Sequence, residues 1–293
     1  MLMQQIINGL TLGSTYALVA LGYTLIFGVL EIINMAHGEI FMFGAFVGLM
    51  TVLHFKGSIF IAILAAIAVT AVLGLFLEWI ALKPLRGKKG VSHLASLIST
   101  IGVSIMLENL AHKIFGPETQ PFPIPFNNIN FELGTIRISL VQILIFSIAV
   151  AVMIALQIWL GKTKYGKALR ATAENMETAS LLGVNTKRII LMTVLLASSI
   201  GGIAGVLVGM GFNAVAPTMG ISMGLKGLAI IILGGMGNVP GAMVGGLILG
   251  VTEVFAVVYG GSAYRDAVAF GMIIIILLLR PQGLFGSGQP VRR

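Results

Sequence analysis

The 293-residue chain contains no cysteine, so no disulfide braces it and no thiolate chemistry is open to it. Charge is scarce as well. Asp, Glu, Lys and Arg make up 10% of the residues against 57% hydrophobic ones, and the mean hydropathy is +1.03. A soluble domain of this length needs far more charge to cover its surface, so a soluble protein is excluded. The four histidines are scattered. His37 and Glu39 lie two apart, and Glu108 and His112 lie four apart on one helix face, whereas a metal centre needs three or four converging ligands. No acid, base or nucleophile set is visible, which argues against an embedded enzyme. Gly161-Lys162-Thr163 looks like the end of a phosphate-binding loop, but position 156 is Leu where the full motif needs Gly. That tripeptide also follows an apolar helix instead of a strand, so ATP hydrolysis by this chain is not expected. The formal charge of +8 is spread among apolar runs, so no nucleic-acid surface is expected.

What the chain does have is long apolar runs. Crossing the hydrocarbon core takes roughly 20 helical residues. Candidate spans fall at about 6–29, 34–54, 58–82, 93–113, 138–160, 189–212, 226–258 (interrupted) and 262–280. They do not alternate apolar and polar residues as the strands of a membrane barrel would. The expected fold is an all-α polytopic integral membrane protein with 8 or 9 crossing or partly crossing helices. The N-terminus, MLMQQIINGL, lacks the basic region of a cleaved signal peptide, so the first apolar segment is expected to persist as a helix.

Three loops carry 13 of the 18 Lys and Arg residues: 83–89 with four, 160–188 with six, and the end of the chain from Arg280 with three. Positive charge marks cytoplasmic loops, which puts all three, and the C-terminus, on the cytoplasmic side. The loop 114–137 balances its charges, is rich in Pro and Asn, and is expected on the extracytoplasmic face. Those assignments require 213–258 to return through the membrane and leave again. Its return leg carries Pro217, Gly220, Gly224, Lys226 and Gly227, which predicts a broken helix over 213–227. A second polar interruption, EIINMAHGE, falls at 31–39. Irregular backbone at membrane depth survives only when buried in protein or lining a wet cavity. Two such breaks, one in each half, point to a transport path. The topology of residues 1–54 stays open: residues 34–54 are a full span if the N-terminus is outside and re-entrant if it is inside.

Other glycines recur four apart: Gly201, Gly205 and Gly209; Gly241 and Gly245; Gly246 and Gly250. Small residues at this spacing let helices approach closely in lipid, so these stripes are assigned to packing. Glu78 is placed to snorkel toward Lys83 or Arg86. Glu253 and Lys226, deeper in apolar surroundings, serve either function or a buried pair that fixes the bundle.

Residues 164–188 form a polar excursion between two spans. Asn175 can cap a short helix that Gly183 ends in a left-handed C′ position, and Asn185 or Thr186 can cap the span that follows. In this excursion Glu177-Thr178-Ala179-Ser180-Leu181-Leu182-Gly183 resembles the E-A-A-x-x-x-G motif of bacterial ABC importer permeases, with Thr in place of the first Ala. The hydrophobic sequence ending in Leu-Pro that often follows the motif is not evident. Nearly the whole chain resembles the LivH-type permease of branched-chain amino acid importers. The stretches that carry the likeness are 9–39, 170–188, 234–250 (GGMGNVPGAMVGGLILG) and 277–286 (LLLRPQGLFG).

The resemblance implies one permease domain over 1–293 in the bacterial inner membrane, with 162–188 as a cytoplasmic segment coupled to ATPases. Glu174, Asn175, Glu177, Ala179, Leu182 and Gly183 would form that interface. Implied partners are a second, LivM-like permease, two cytosolic LivG/LivF-like ATPases that use ATP and Mg, and an extracytoplasmic amino-acid-binding protein. This chain itself would bind no cofactor. Substrates in the family are Leu, Ile and Val, with urea, short amides or other amino acids as the alternative. A stand-alone secondary transporter or channel is a further reading; it would have no use for an ATPase-docking helix. Polar groups for a substrate could come from Asn34, His37, Glu39, Asn213, Thr218 and Ser222, although Asn34–Glu39 suits capping a turn better.

Overall fold

A computed structural model describes residues 2–55, 58–84, 93–124, 129–133 and 136–286. Of the basic loop 83–89, Arg86, Lys88 and Lys89 lie outside the described residues, as do the terminal Arg292 and Arg293. The chain is an all-α bundle. Helices α1 (Leu2–Leu30), α2 (His37–His54) and α3 (Ile59–Leu77) come first, and α3 runs on through a π-helical turn, Glu78–Leu82. Helix α4 (His93–Phe115) leads to three short strands, β1 (Gln120–Pro121), β2 (Asn130–Leu133) and β3 (Ile136–Ser139). Then come α5 (Leu140–Lys162), the small helices α6 (Lys164–Glu174) and α7 (Met176–Leu181), and α8 (Thr186–Phe212). Strand β4 (Ala214–Val215), α9 (Met219–Gly234), α10 (Val239–Gly260) and α11 (Arg265–Leu279) complete it. Among the described residues eight helices are long and apolar enough to span a membrane, and α9 is a shorter apolar helix of 16 residues.

Helix α1 is the centre of the bundle, packed on α10, α8 and α9, while α2 packs on α8 and α3. Glycine makes these contacts close. A Cβ on Gly246 would lie 2.5 Å from the Cα of Ala17, and one on Gly9 would lie 2.6 Å from the Cα of Val251. The pairing of Gly9 with Val251 and Ala17 with Gly246 makes α1 and α10 antiparallel. In the Gly201/Gly205/Gly209 stripe, Gly205 faces the backbone of Phe41 and Ala45 on α2, and Gly201 faces His37. The stripes are therefore packing surfaces, where dispersion between backbones replaces a hydrophobic drive that lipid does not supply.

The course of residues 1–54 is settled by Gln4. Its amide donates to the Arg137 carbonyl at 2.8 Å and accepts from the Arg137 N–H at 2.9 Å. The start of α1 therefore lies on the same face as the β2–β3 hairpin and opposite to α6 and α7. Helix α2 runs back toward the hairpin face, because its Phe46 stacks on Phe115 at the close of α4 with ring centroids 4.3 Å apart. Hairpin residues Asn130–Leu133 pair antiparallel with Ile136–Ser139, and Gln120–Pro121 pairs with Ala214–Val215. The described residues of 114–139 thus form an ordered cap on one face; 125–128 and 134–135 lie outside them.

Two details differ from the sequence-based expectation. The interruption inside 226–258 is the turn between α9 and α10, with Gly235 and Gly237 at positive φ. Helix α9 itself continues unbroken through Gly220, Gly224 and Gly227. Glu78 does not snorkel but is buried in the π-turn at 2% exposure.

Candidate translocation path and coupling segment

Both breaks lie inside the bundle. After α1 ends, residues 31–36 double back, and α2 begins with His37 against Gly22, well before the end of α1. At 1.5 Å per residue α9 is about 24 Å long, short of the ~30 Å hydrocarbon core, and residues 213–218 supply the missing length without helix. The two helix starts meet. Gly220 in the first turn of α9 lies against the Glu39 carboxylate, and Gly224 lies near the Tyr23 hydroxyl and the Gly38 backbone.

The groups at this meeting point are polar and buried. Asn34, His37 and Glu39 are at most 1% exposed. Asn34 Oδ1 accepts from the Ala36 N–H at 3.2 Å, so it caps the turn. Thr100 of α4 accepts from the Met35 N–H at 3.2 Å, and Ser104 donates to Glu39 at 3.1 Å. The ring of His37 meets that of Tyr23 edge-on at 4.8 Å. These residues tie α1, α2 and α4 together and are closed to a solute. At the start of α9, Thr218 just before its first residue and Ser222 within it are instead exposed, with Ile221 and Leu225 beside them. A hydroxyl stripe bordered by aliphatic side chains is the kind of lining a zwitterion with an apolar side chain needs.

A second buried set holds α9, α10, α11 and α1 together. The Lys226 ammonium lies 3.0 Å from Glu253 and 3.1 Å from Asp266, and it donates to the Tyr16 hydroxyl at 3.2 Å. Tyr16 donates to Glu253 at 3.0 Å, and Arg265 also pairs with Glu253. Two cations and two anions balance, so the charges left open at Lys226 and Glu253 resolve as a buried pair that fixes the bundle.

On the hairpin face lies a cavity of about 470 Å3. Gln4, Asn8, Thr11 and Thr15 of α1 line it, together with Gln142, Asn213, Arg137 and Arg265. Asn8 accepts from Gln142 at 2.9 Å and from Gln4 at 3.2 Å. Sequence reasoning placed only Asn213 of this set near a path. The spacing of 4, 3 and 4 along residues 4, 8, 11 and 15 puts one polar stripe on an otherwise apolar helix, and that signal was there to be read.

On the opposite face, α6 and α7 form the excursion. Thr163 caps α6, accepting from the Gly166 N–H at 3.0 Å, which leaves Gly161-Lys162-Thr163 as a helix junction with no phosphate loop. Gly166, Leu169 and Thr172, three apart, form the buried side of α6, and Arg170 donates to the Leu160 carbonyl. Asn175 caps α7 by accepting from the Thr178 N–H at 2.8 Å. Gly183, at φ +86°, ends it with bonds from its own N–H to the Ser180 carbonyl and from the Val184 N–H to the Ala179 carbonyl. This Schellman turn needs a left-handed residue at that point. Asn185 then caps α8 through the Arg188 N–H at 3.1 Å.

In the excursion Glu174, Asn175, Glu177, Leu182 and Gly183 are each exposed. Ala179 is the exception: it is 2% exposed on the inner side of α7, which packs on α8, so it supports the helix instead of facing outward. Leu181 and Leu182, 83% and 79% exposed, form an apolar tip, and Leu181 was not among the residues singled out from the sequence. Glu108 and His112 stand 4.0 Å apart on α4, at the limit of an ion pair, and among the described residues no group of three potential ligands could hold a metal.

Comparison with known proteins agrees with this architecture. The chain is 40% identical to the high-affinity branched-chain amino acid transport system permease protein BraD of Pseudomonas aeruginosa, covering 98% of this chain and 96% of that one. It is 37% identical to the permease LivH of Escherichia coli and 38% identical to that of Salmonella typhimurium, with the same coverage. Residues 5–277 match the family described as branched-chain amino acid transport system, permease component. The chain therefore belongs to the permease components of branched-chain amino acid transport systems.

Proposed function

We propose that this permease moves leucine, isoleucine and valine inward across the bacterial inner membrane, as one half of a pore completed by a second permease. Cytosolic ATPases drive it, and an extracytoplasmic binding protein delivers the solute. The α6–α7 excursion is the docking element, which puts it and the C-terminus in the cytoplasm and the β2–β3 hairpin outside. The basic residues of 160–188 favour the same orientation. The observation that carries the reading is the exposed Leu181–Leu182 tip, flanked by Glu177 and held by caps at both ends between two spans. An isolated surface turn would shed such an apolar tip, whereas a docking helix needs it.

Closure of the ATPases on ATP would push this rigid element. The push would reach α8 directly, since Asn185 joins the excursion to its first turn. Helix α8 packs on α2 and leads through residues 213–218 to α9, so both broken helices would move against each other. The test is uptake of labelled leucine by vesicles holding the assembled complex and the binding protein. Accumulation that requires ATP is expected. Solute movement down its gradient through this chain alone, without ATPases, would sink the reading.

A further inference from the structure

The cavity on the hairpin face is unusual in its charge. Its lining contains two arginines, Arg137 and Arg265, and no carboxylate. Arg265 is held in place: it pairs with the Glu253 carboxylate, and its guanidinium lies 5.1 Å from the centre of the Phe212 ring. A guanidinium has five N–H donors, so donors remain for a second anion. Beside it, Met210, Gly211 and Phe212 are the last residues of α8, whose C-terminal end carries partial negative charge. The hydroxyls of Thr11 and Thr15 and the free amide of Asn213 add polar contacts. The rest of the wall includes the aliphatic side chains of Leu12, Ile145, Leu207, Val208 and Val254, which suit an apolar side chain on a solute whose carboxylate and ammonium share one carbon. A volume of about 470 Å3 falls within the roughly 300–1,000 Å3 of small-molecule sites.

We infer that this cavity is a transient binding site for an aliphatic α-amino acid within this one subunit, with Arg265 taking the carboxylate and the end of α8 facing the ammonium. The inference rests on the reading of the chain as an amino-acid permease and adds a stop on the way in. Solute released on the hairpin face would be held here before it reaches the Thr218–Ser222 stripe. Arg265 would act as the recognition group and Glu253 as the residue that positions it.

The absence of native cysteine supplies the test. Leu12→Cys places a thiol on the aliphatic wall without touching the polar groups, and Glu118→Cys serves as an exposed control outside the cavity. In the purified permease–ATPase complex without binding protein, the rate of labelling by a small water-soluble thiosulfonate is measured. Millimolar leucine is expected to slow labelling of Leu12→Cys severalfold and leave Glu118→Cys unchanged. Isoamylamine, which has the side chain and amine but no carboxylate, is expected to leave both unchanged. Asn213→Gly, which keeps the left-handed backbone at φ 52°, is expected to raise the leucine concentration needed for protection. Equal protection by isoamylamine, or none by leucine in a complex whose parent form accumulates leucine, would overturn the site. A parent complex that accumulates no leucine would instead overturn the function it rests on.

Discussion

At the scale of residues, most of the coupling segment is set by capping chemistry. Asn175, Gly183 and Asn185 are each placed by a rule that needs only the local sequence: a side-chain oxygen for orphaned N–H groups, and a residue without Cβ where φ is +86°. These three were legible without coordinates. Ala179 was not, because which side of a six-residue helix turns inward depends on how α7 settles on α8. The energies are modest. Asn175→Ala should cost about 1 kcal/mol through the lost cap, and Gly183→Val about 1–2 kcal/mol or more through forced left-handed backbone. Neither is enough to unfold a bundle held by long helices. Both variants should therefore assemble normally in gel filtration while leucine uptake per ATP hydrolysed falls, more for Gly183→Val. Wild-type coupling in both would mean that the geometry of α7 does not transmit the stroke.

Among elements, the sequence located both breaks but misjudged one of them. Glycine and Lys226 inside α9 looked like helix breakers, yet the glycines serve close packing, with Gly227 against Tyr23 and Val19, and Lys226 is satisfied by two carboxylates and a hydroxyl brought from three other helices. Long-range partners of this kind leave no local trace. The same network fixes an order of damage. Removing Glu253 leaves two buried or half-buried cations, Lys226 with Asp266 as its remaining carboxylate and Arg265 without the carboxylate it pairs with. Removing Lys226 leaves Glu253 still paired with Arg265 and Tyr16. Breaking a buried pair costs about 3–5 kcal/mol when one charge is stranded, so Glu253→Gln should lower the thermal unfolding midpoint of the purified complex clearly more than Lys226→Met. Equal shifts would show that Arg265 does not hold Glu253 in place.

Taken as a whole, the molecule has a definite sidedness that charge counting alone could not extend to residues 1–54, because the first loop, 31–36, has one acidic residue and no Lys or Arg. A tertiary contact, Gln4 to Arg137, decides it. Single cysteines at exposed positions of the native cysteine-free chain can test the arrangement. Leu181→Cys should react with a membrane-impermeant reagent in inside-out vesicles and be silent in intact spheroplasts, and Glu118→Cys should show the reverse. Labelling of both from one side would contradict the fold, while a swap of the two would contradict the assignment of the α6–α7 face to the cytoplasm.

The placement of α1 also constrains how the chain is made. Over its most apolar stretch 83% of its residues are buried, against 6% for the apolar segment Ser262–Leu279, yet its main partners, α8 and α10, lie far downstream. Synthesis therefore makes α1 before the helices it packs on, and the Tyr16 hydroxyl some 237 residues ahead of Glu253, its hydrogen-bond acceptor. The bundle can close around α1 only when α8 and α10 are finished, so a ribosome that stalls before α10 leaves an unsheltered mast without its principal neighbour.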